Sequence, residues 1–277
     1  MRTNKNFTKR IAAQALAITA GLVLLTACSQ QKDTSKTIKV AASATPHAEI
    51  LEQAKDALAT KGYTLEVTVF DDYVQPNNVV ESDEFQANYV EHVPYLNSFN
   101  EEKGTHLVNA GGVHYEPFGL YGGTKKSLDD LADGDTIAIP NDTTNEARAL
   151  LLLQDNGYLT LKDGVGLTAT VNDITENPHN IKFQELEAAQ IARVREEVAY
   201  VVLNGNYALE AGLSVGKDAL VAESKDSEAA KTYVNVIVVK EGHQNDEGIK
   251  ALVEVLQSKE ISDYINKTYD GAVVPIN

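Results

Sequence analysis

Only one cysteine, Cys28, occurs in the 277 residues. That scarcity excludes a disulfide scaffold, a thiolate metal site and thiol catalysis in the body of the chain. Positive charge is also in short supply, with 24 Lys and Arg against 40 Asp and Glu and a formal net charge of −16. Four of the basic residues (Arg2, Lys5, Lys9 and Arg10) fall before Cys28 in a stretch with no acidic residue, so the remainder is more acidic still. Such a surface repels nucleic-acid phosphates and anionic lipid alike. The chain also lacks G-x-S-x-G, H-E-x-x-H, a P-loop and a strand-borne G-x-G-x-x-G. Its six histidines are scattered through the sequence without dense metal-ligand spacing. The expectation is a protein that is not an enzyme and carries no cofactor and no metal.

What the chain does have begins at its N-terminus. A basic segment, MRTNKNFTKR, precedes the apolar run IAAQALAITAGLVLLTA. That run is short against the roughly 20 residues of a bilayer span and is closed by small residues, as in a secretory signal. Leu25-Thr26-Ala27-Cys28 resembles the bacterial lipobox, which implies cleavage after residue 27 and a lipid anchor on Cys28. Residues 28–36 then form the lipidated cysteine and a polar, flexible tether. The expected location is the cell membrane, lipid-anchored on its extracytoplasmic face, where several acyl chains hold firmly at about 0.8 kcal/mol per buried methylene.

From Thr37 onward strand and helix patterns alternate, predicting an α/β fold. TIKVAA reads as a strand, PHAEILEQAKDALATKGY as a helix stopped by Gly62, and TLEVTVF as a second strand. HLVNAGGVHYEPFGLYG reads as strand broken at its glycines, DTIAIP as strand, TNEARALLLLQDNGYL as helix, ATVND and IKFQEL as strand-like, and EAAQIARVREEV as another helix. KTYVNVIVVKEG is a long β-branched stretch, and NDEGIKALVEVLQSKEISDYIN closes the chain as a single amphipathic helix. These units exceed one small sheet, and no linker divides them. The expected layout is residues 37–120 plus 234–277 as one lobe and 121–233 as a second, joined by a hinge around a ligand cleft.

Three constellations stand out as candidate chemistry. Asn141-Asp142-Thr143-Thr144 follows a strand and opens the leucine-rich helix, where open α/β sheets bind ligands. Asp142 or Thr143 is placed to cap that helix, with Glu146 completing a capping box if Thr143 does so. Asn145 and Arg148, three residues apart, share a side of it. Arg148 offers a planar donor fork for a carboxylate, and position alone leaves open whether the partner is a ligand or a structural Asp or Glu. The second constellation is Phe70, Tyr73, His92, Tyr95, Glu116 and Tyr121, five of them at strand ends or turns and His92 and Tyr95 at helical spacing if a helix begins near there, either plain core or a cage for a small apolar or thioether side chain. The third is Asn204, at the end of VVLN before Gly205, which suits a bend or a close approach.

Five segments, FDDYVQPN, HVPYL, GLYGGTKKSLDDLADGDTIAIPNDTTNEARALLLL, VVLNGNYA and YVNVIVV, together resemble the NlpA lipoprotein family, the methionine-binding lipoproteins of ABC importers. The resemblance covers nearly all of residues 37–277. It implies a type II periplasmic-binding-protein fold with two α/β lobes, two crossover strands and a ligand held between them. By motif it carries ligand binding to Phe70, Tyr73, His92, Tyr95, Tyr121, Asn145, Arg148 and Asn204. Arg148 would take the substrate carboxylate, Asn204 the amino-acid backbone, and the aromatics the side chain. Its implied partners are an amino acid, L-methionine first, and an ABC permease with its cytoplasmic ATPase. Gly123 stands where the family commonly has serine, and AAQIARVREEV is more charged than usual; neither touches a carried-over position. Alternative ligands are a methionine-containing dipeptide, another amino acid, or a metal ion held by His92, His106 and His114.

Overall fold

A computed structural model describes residues 36–224 and 231–277; Cys28 and the signal segment lie outside them. The chain runs β1 (Thr37–Ala42), α1 (Glu49–Thr60), β2 (Thr64–Val69), α2 (Gln75–Glu81), β3 (Ala87–His92), α3 (Val93–Lys103) and β4 (Leu107–Tyr115). It continues through β5 (Gly119–Gly122), β6 (Thr136–Pro140), α4 (Thr143–Asp155), β7 (Thr160–Leu161), β8 (Ile174–Glu176), β9 (Lys182–Leu186), α5 (Ala188–Ile191), β10 (Tyr200–Leu203), α6 (Gly205–Glu210) and β11 (Ala219–Ala222). Then come β12 (Val234–Lys240), helices Glu247–Leu256 and Lys259–Tyr269, and β13 (Val274–Pro275).

The first sheet has the order β13-β4-β12-β3-β1-β2 and the second β11-β5-β10-β6-β9. β2, β1 and β3 are parallel, as are β9, β6 and β10. The remaining pairings in both sheets are antiparallel. β12 comes late in sequence but lies between β3 and β4, so the chain leaves the first sheet after Tyr115, builds the second, and returns. Two crossings therefore connect the sheets.

Helices cover both faces of the first sheet, which explains the unbroken apolar run of β12. On one face α1 buries Ile50, Leu51, Ala54 and Leu58 against Val40, Ile237 and Val239. Each large aliphatic there contributes about 1.5–3 kcal/mol. On the other, Leu96 and Phe99 of α3 pack with Val236 and Val238. The second sheet packs Ile137, Ile139 and Val202 against Leu150 and Leu153 of α4.

Several expectations are corrected. β4 is not broken at its glycines; it passes through Gly111, where a Cβ would lie 2.5 Å from Cγ1 of Val253. Glycine there admits the helix Glu247–Leu256 against the sheet. The single C-terminal helix is two, because Ser258 caps a fresh start, accepting from the Ile261 amide at 3.4 Å. The turn lets both helices lay apolar faces, Leu252 and Val255 on one and Ile261 and Ile265 on the other, on one core. EAAQIARVREEV is helical only over Ala188–Ile191, followed by a 3-10 turn. ATVND forms a 3-10 turn, with strand only from Ile174.

Candidate functional site

The carboxyl ends of the parallel strands in both sheets converge, and the side chains they carry build one polar cleft. β6 ends at Pro140, and Asp142 caps α4, its Oδ1 accepting from the Asn145 amide at 3.0 Å. The capping box does not form, since Glu146 accepts instead from the Val171 amide at 2.9 Å. Asn145 Nδ2 donates to Asp142 Oδ1 at 2.8 Å and Oδ2 at 3.0 Å. That fixes the polarity of the Asn145 amide, and its Oδ1 faces the cleft.

His92 ends β3 and caps α3, its Nδ1 accepting from the Tyr95 amide at 3.1 Å. The proton must then sit on Nε2, which donates to Asn145 Oδ1 at 3.0 Å. Burial, then the Arg148 charge, lowers His92 to about 3, so the ring is neutral. Asn204, at the end of β10, donates its Nδ2 to the same Asn145 oxygen at 3.0 Å. This leaves Asn204 Oδ1 buried without a partner.

Arg148 is 4% exposed and fully engaged on one edge. Its Nε donates to Glu223 Oε1 at 2.8 Å and its Nη2 to Glu223 Oε2 at 2.6 Å and to the Glu116 carbonyl at 3.0 Å. The guanidinium lies 4.0 Å from the Tyr233 ring centroid and 4.6 Å from that of Phe118. Burial works against the Glu223 charge, but Arg148, the Tyr115 hydroxyl and the Phe118 amide outweigh it and hold that carboxylate below its ordinary range. The bidentate fork therefore belongs to Glu223. Nη1 makes no hydrogen bond to a described residue, and Arg148 also lines the cleft.

Behind this first layer lies a buried relay. Glu116 Oε1 stands 2.6 Å from His114 Nε2 and 3.5 Å from His47 Nε2. His47 Nε2 also reaches Asn235 Oδ1 at 3.0 Å, and its Nδ1 meets Ser43 Oγ at 2.6 Å. His114 Nδ1 meets the Tyr89 hydroxyl. Burial lowers His47 to about 4 and His114 to about 3, so both rings are neutral, and it raises the Glu116 carboxyl above its ordinary value. Gly205 permits this proximity, because a Cβ there would sit 2.6 Å from Glu116 Oε2.

His47, His114 and Glu116 are the one group among the described residues close enough to share a metal. Nε2 of both histidines is turned toward Glu116 Oε1. The expected set of His92, His106 and His114 is not assembled, because His106 pairs with Glu81 at the surface and His92 caps α3.

Among the sequence candidates, Tyr73, His92, Tyr95, Asn145, Arg148 and Asn204 line the cleft together. Phe70 and Tyr121 do not line it: Phe70 packs on Phe85, and Tyr121 is buried in the second sheet's core with Ile191 and Val201. Glu91, Asn206 and Asn235 also line the cleft and were not singled out from sequence. Their available signal was polarity, since each interrupts or abuts an apolar run. The innermost space is about 20 Å³, room for one water, so a larger ligand enters only as the walls part. It adjoins a wider mouth of about 430 Å³ bordered by Asp72, Tyr73, Asp142, Glu187 and Tyr207. Tyr73 reaches across to donate to Asn206 Oδ1 at 2.5 Å, and Tyr207 to the Asp71 carbonyl at 3.1 Å.

Residues 38–277 match the NlpA lipoprotein family. The chain belongs to that family. A relative from Bacillus subtilis (strain 168), the methionine-binding lipoprotein MetQ, is 44% identical over 246 residues, covering 87% of this chain and 89% of its own. The D-methionine-binding lipoprotein MetQ of Escherichia coli (strain K12) is 38% identical over 263 residues, 94% of this chain and 96% of its own. A crystal structure of a Ruminococcus gnavus lipoprotein superposes with a TM-score of 0.87 at 75% identity, covering 87% of this chain and all (100%) of that one. A Burkholderia cenocepacia nutrient-binding protein bound to methionine superposes with a TM-score of 0.82 at 41% identity, over 87% of this chain and 100% of its own. The NlpA chain described here thus shares the two-sheet α/β architecture of substrate-binding proteins. No helix among its described residues is long and apolar enough to cross a membrane.

Proposed function

We propose that this protein is the lipid-anchored substrate-binding component of an ABC importer, capturing L-methionine or a close relative at the outer face of the membrane and delivering it to the permease. The observation that carries the reading is the Asn145-centred network. It spends every other polar atom of His92 and Asn145, leaves Asn204 Oδ1 buried without a partner, and shares the cleft with Arg148, whose Nη1 makes no hydrogen bond to a described residue. An acceptor and a cationic donor side by side suit the ammonium and carboxylate of an amino acid. Tyr73 and Tyr95, ring centroids 5.7 Å apart, supply the wall for a thioether side chain. The names of the relatives support methionine among amino acids.

In this reading the two crossings, one between Tyr115 and Gly119 and the other entering β12 at Val234, act as the hinge of two lobes, and the contacts of Tyr73 and Tyr207 hold them closed over the ligand. Cys28 carries the lipid, and the tether lets the lobes reach a permease. Calorimetry with L-methionine, D-methionine, methionine sulfoxide and a methionine dipeptide identifies the ligand. Asn204→Ala removes the unsatisfied acceptor, so methionine affinity should fall at least about tenfold, the 1.5–3 kcal/mol of a hydrogen bond to a charged group. Wild-type binding retained in that variant, or no heat with any of the four compounds, refutes the reading.

A further inference from the structure

Two of the carboxyl groups around the cleft have polar company: Glu116 has two imidazoles and Glu223 has Arg148. Among the described residues Glu91 has no such cationic or imidazole partner. It is 3% exposed and lines the cleft; its Oε1 accepts from Asn88 Nδ2 at 3.1 Å, and its Oε2 has no hydrogen-bond partner. A β-bulge puts it there. Val236 of β12 pairs with Glu91 and Val238 with Asn88, so β3 carries one extra residue between them. The extra residue brings Asn88 and Glu91 to the same face, which regular alternation would forbid.

The groups facing Glu91 offer no countercharge. α3 presents Tyr95, whose hydroxyl is itself pushed up by burial and then by acidic neighbours that include Glu91. α2 contributes the Asn77 amide, β3 itself the neutral His92, and β12 the Asn235 amide. Across the cleft, Glu116 is a second buried carboxyl and Arg148 is committed to Glu223. Burial accordingly raises Glu91 from 4.5 to about 8, with the nearby Asn77 and Asn88 amides pulling the other way.

We propose that Glu91 is a further ligand-recognition residue: its Oε2 receives the cationic group of the bound ligand, and the carboxyl releases its proton to solvent as that group arrives. The inference rests on the amino-acid reading above, in which the ligand's ammonium is the cation. Without ligand the site holds a neutral acid. With ligand it holds a carboxylate beside an ammonium, and the O–H proton has passed to the buffer. Only the ionised form binds, so the apparent affinity scales with the ionised fraction.

L-methionine titrated calorimetrically at pH 7, in two buffers of different ionisation enthalpy, should release close to one proton per ligand. Affinity should weaken about tenfold for each pH unit below 8. Glu91→Gln, which keeps the shape and one acceptor, should give the same heat in both buffers and an affinity flat between pH 6 and 8. The hydroxy analogue of methionine, lacking the ammonium, should release no proton from the wild-type protein. Buffer-independent heat in the wild type, or a tenfold-per-unit slope persisting in Glu91→Gln, overturns the inference. If methionine gives no heat at any pH, the ligand reading fails and the free protein decides. A carboxyl raised above its unfolded value stabilises fully below about pH 4.5 and loses that contribution as pH rises through 8. Wild-type stability should therefore fall relative to Glu91→Gln over that window, and parallel curves overturn the inference there too.

Discussion

Replacing Arg148 tests both of its roles at once. The guanidinium is the one cation paired with Glu223 among the described residues, and the Glu223 side chain is 9% exposed, so Arg148→Met strands a buried carboxylate. Losing one partner of a buried pair costs about 3–5 kcal/mol. For a domain of this size 1 kcal/mol moves Tm by about 2–4 °C, so a fall of roughly 10 °C is expected. Loss of methionine binding in that variant alone would be ambiguous, since the stranded charge perturbs Tyr115 and Phe118 as well. Arg148→Met combined with Glu223→Gln removes both charges while keeping volume, and replacing a whole buried pair is often neutral. The double variant should recover most of the lost Tm. It should not recover binding, because the ligand carboxylate has lost its donor, an effect of about 2–5 kcal/mol or at least thirtyfold in affinity. Thermal melts and calorimetry on the wild type and the two variants suffice. A double variant that binds like wild type would show that Arg148 serves Glu223 alone, and one as unstable as Arg148→Met would refute the stranded-charge argument.

Acid stability offers a second measurement. His114 is lowered to about 3 by burial, so its contribution is complete above pH 6.5 and lost as pH falls toward 3. His114→Gln keeps a donor for Glu116 and should lose stability less steeply than wild type between pH 6.5 and 4.5, by about 1.4 kcal/mol per pH unit; parallel urea-melt profiles would contradict this. Gly111→Ala should cost about 1–3 kcal/mol, since its Cβ would lie 2.5 Å from Val253 Cγ1, and adding Val253→Ala should return most of it in the same melts.

Most of the chain's elements were legible because their patterns are local. Alternating apolar residues announced β2, and Pro46 and Gly62 bracketed α1. β3 was harder: in ANYVEHVPYL every residue from Ala87 to His92 is buried, polar ones included, so no alternation survives. His92 and Tyr95 were read at helical spacing, yet His92 precedes the helix and caps it. For Arg148, position left ligand and structural partner open, and the partner found, Glu223, lies 75 residues away, just past the end of β11.

By itself the sequence determined the alternation of strands and helices, the acidity, and the family to which the chain belongs, because these follow from residue type and spacing along one segment. Tertiary structure decided which charges meet. Sheet order places β12 beside β3, and with it Asn235 beside His47, 188 residues away in sequence. One extra residue in β3 turns Glu91 inward. The partner of a buried polar group, and whether it has one, depends on contacts between segments distant in sequence, and local pattern carries no record of those.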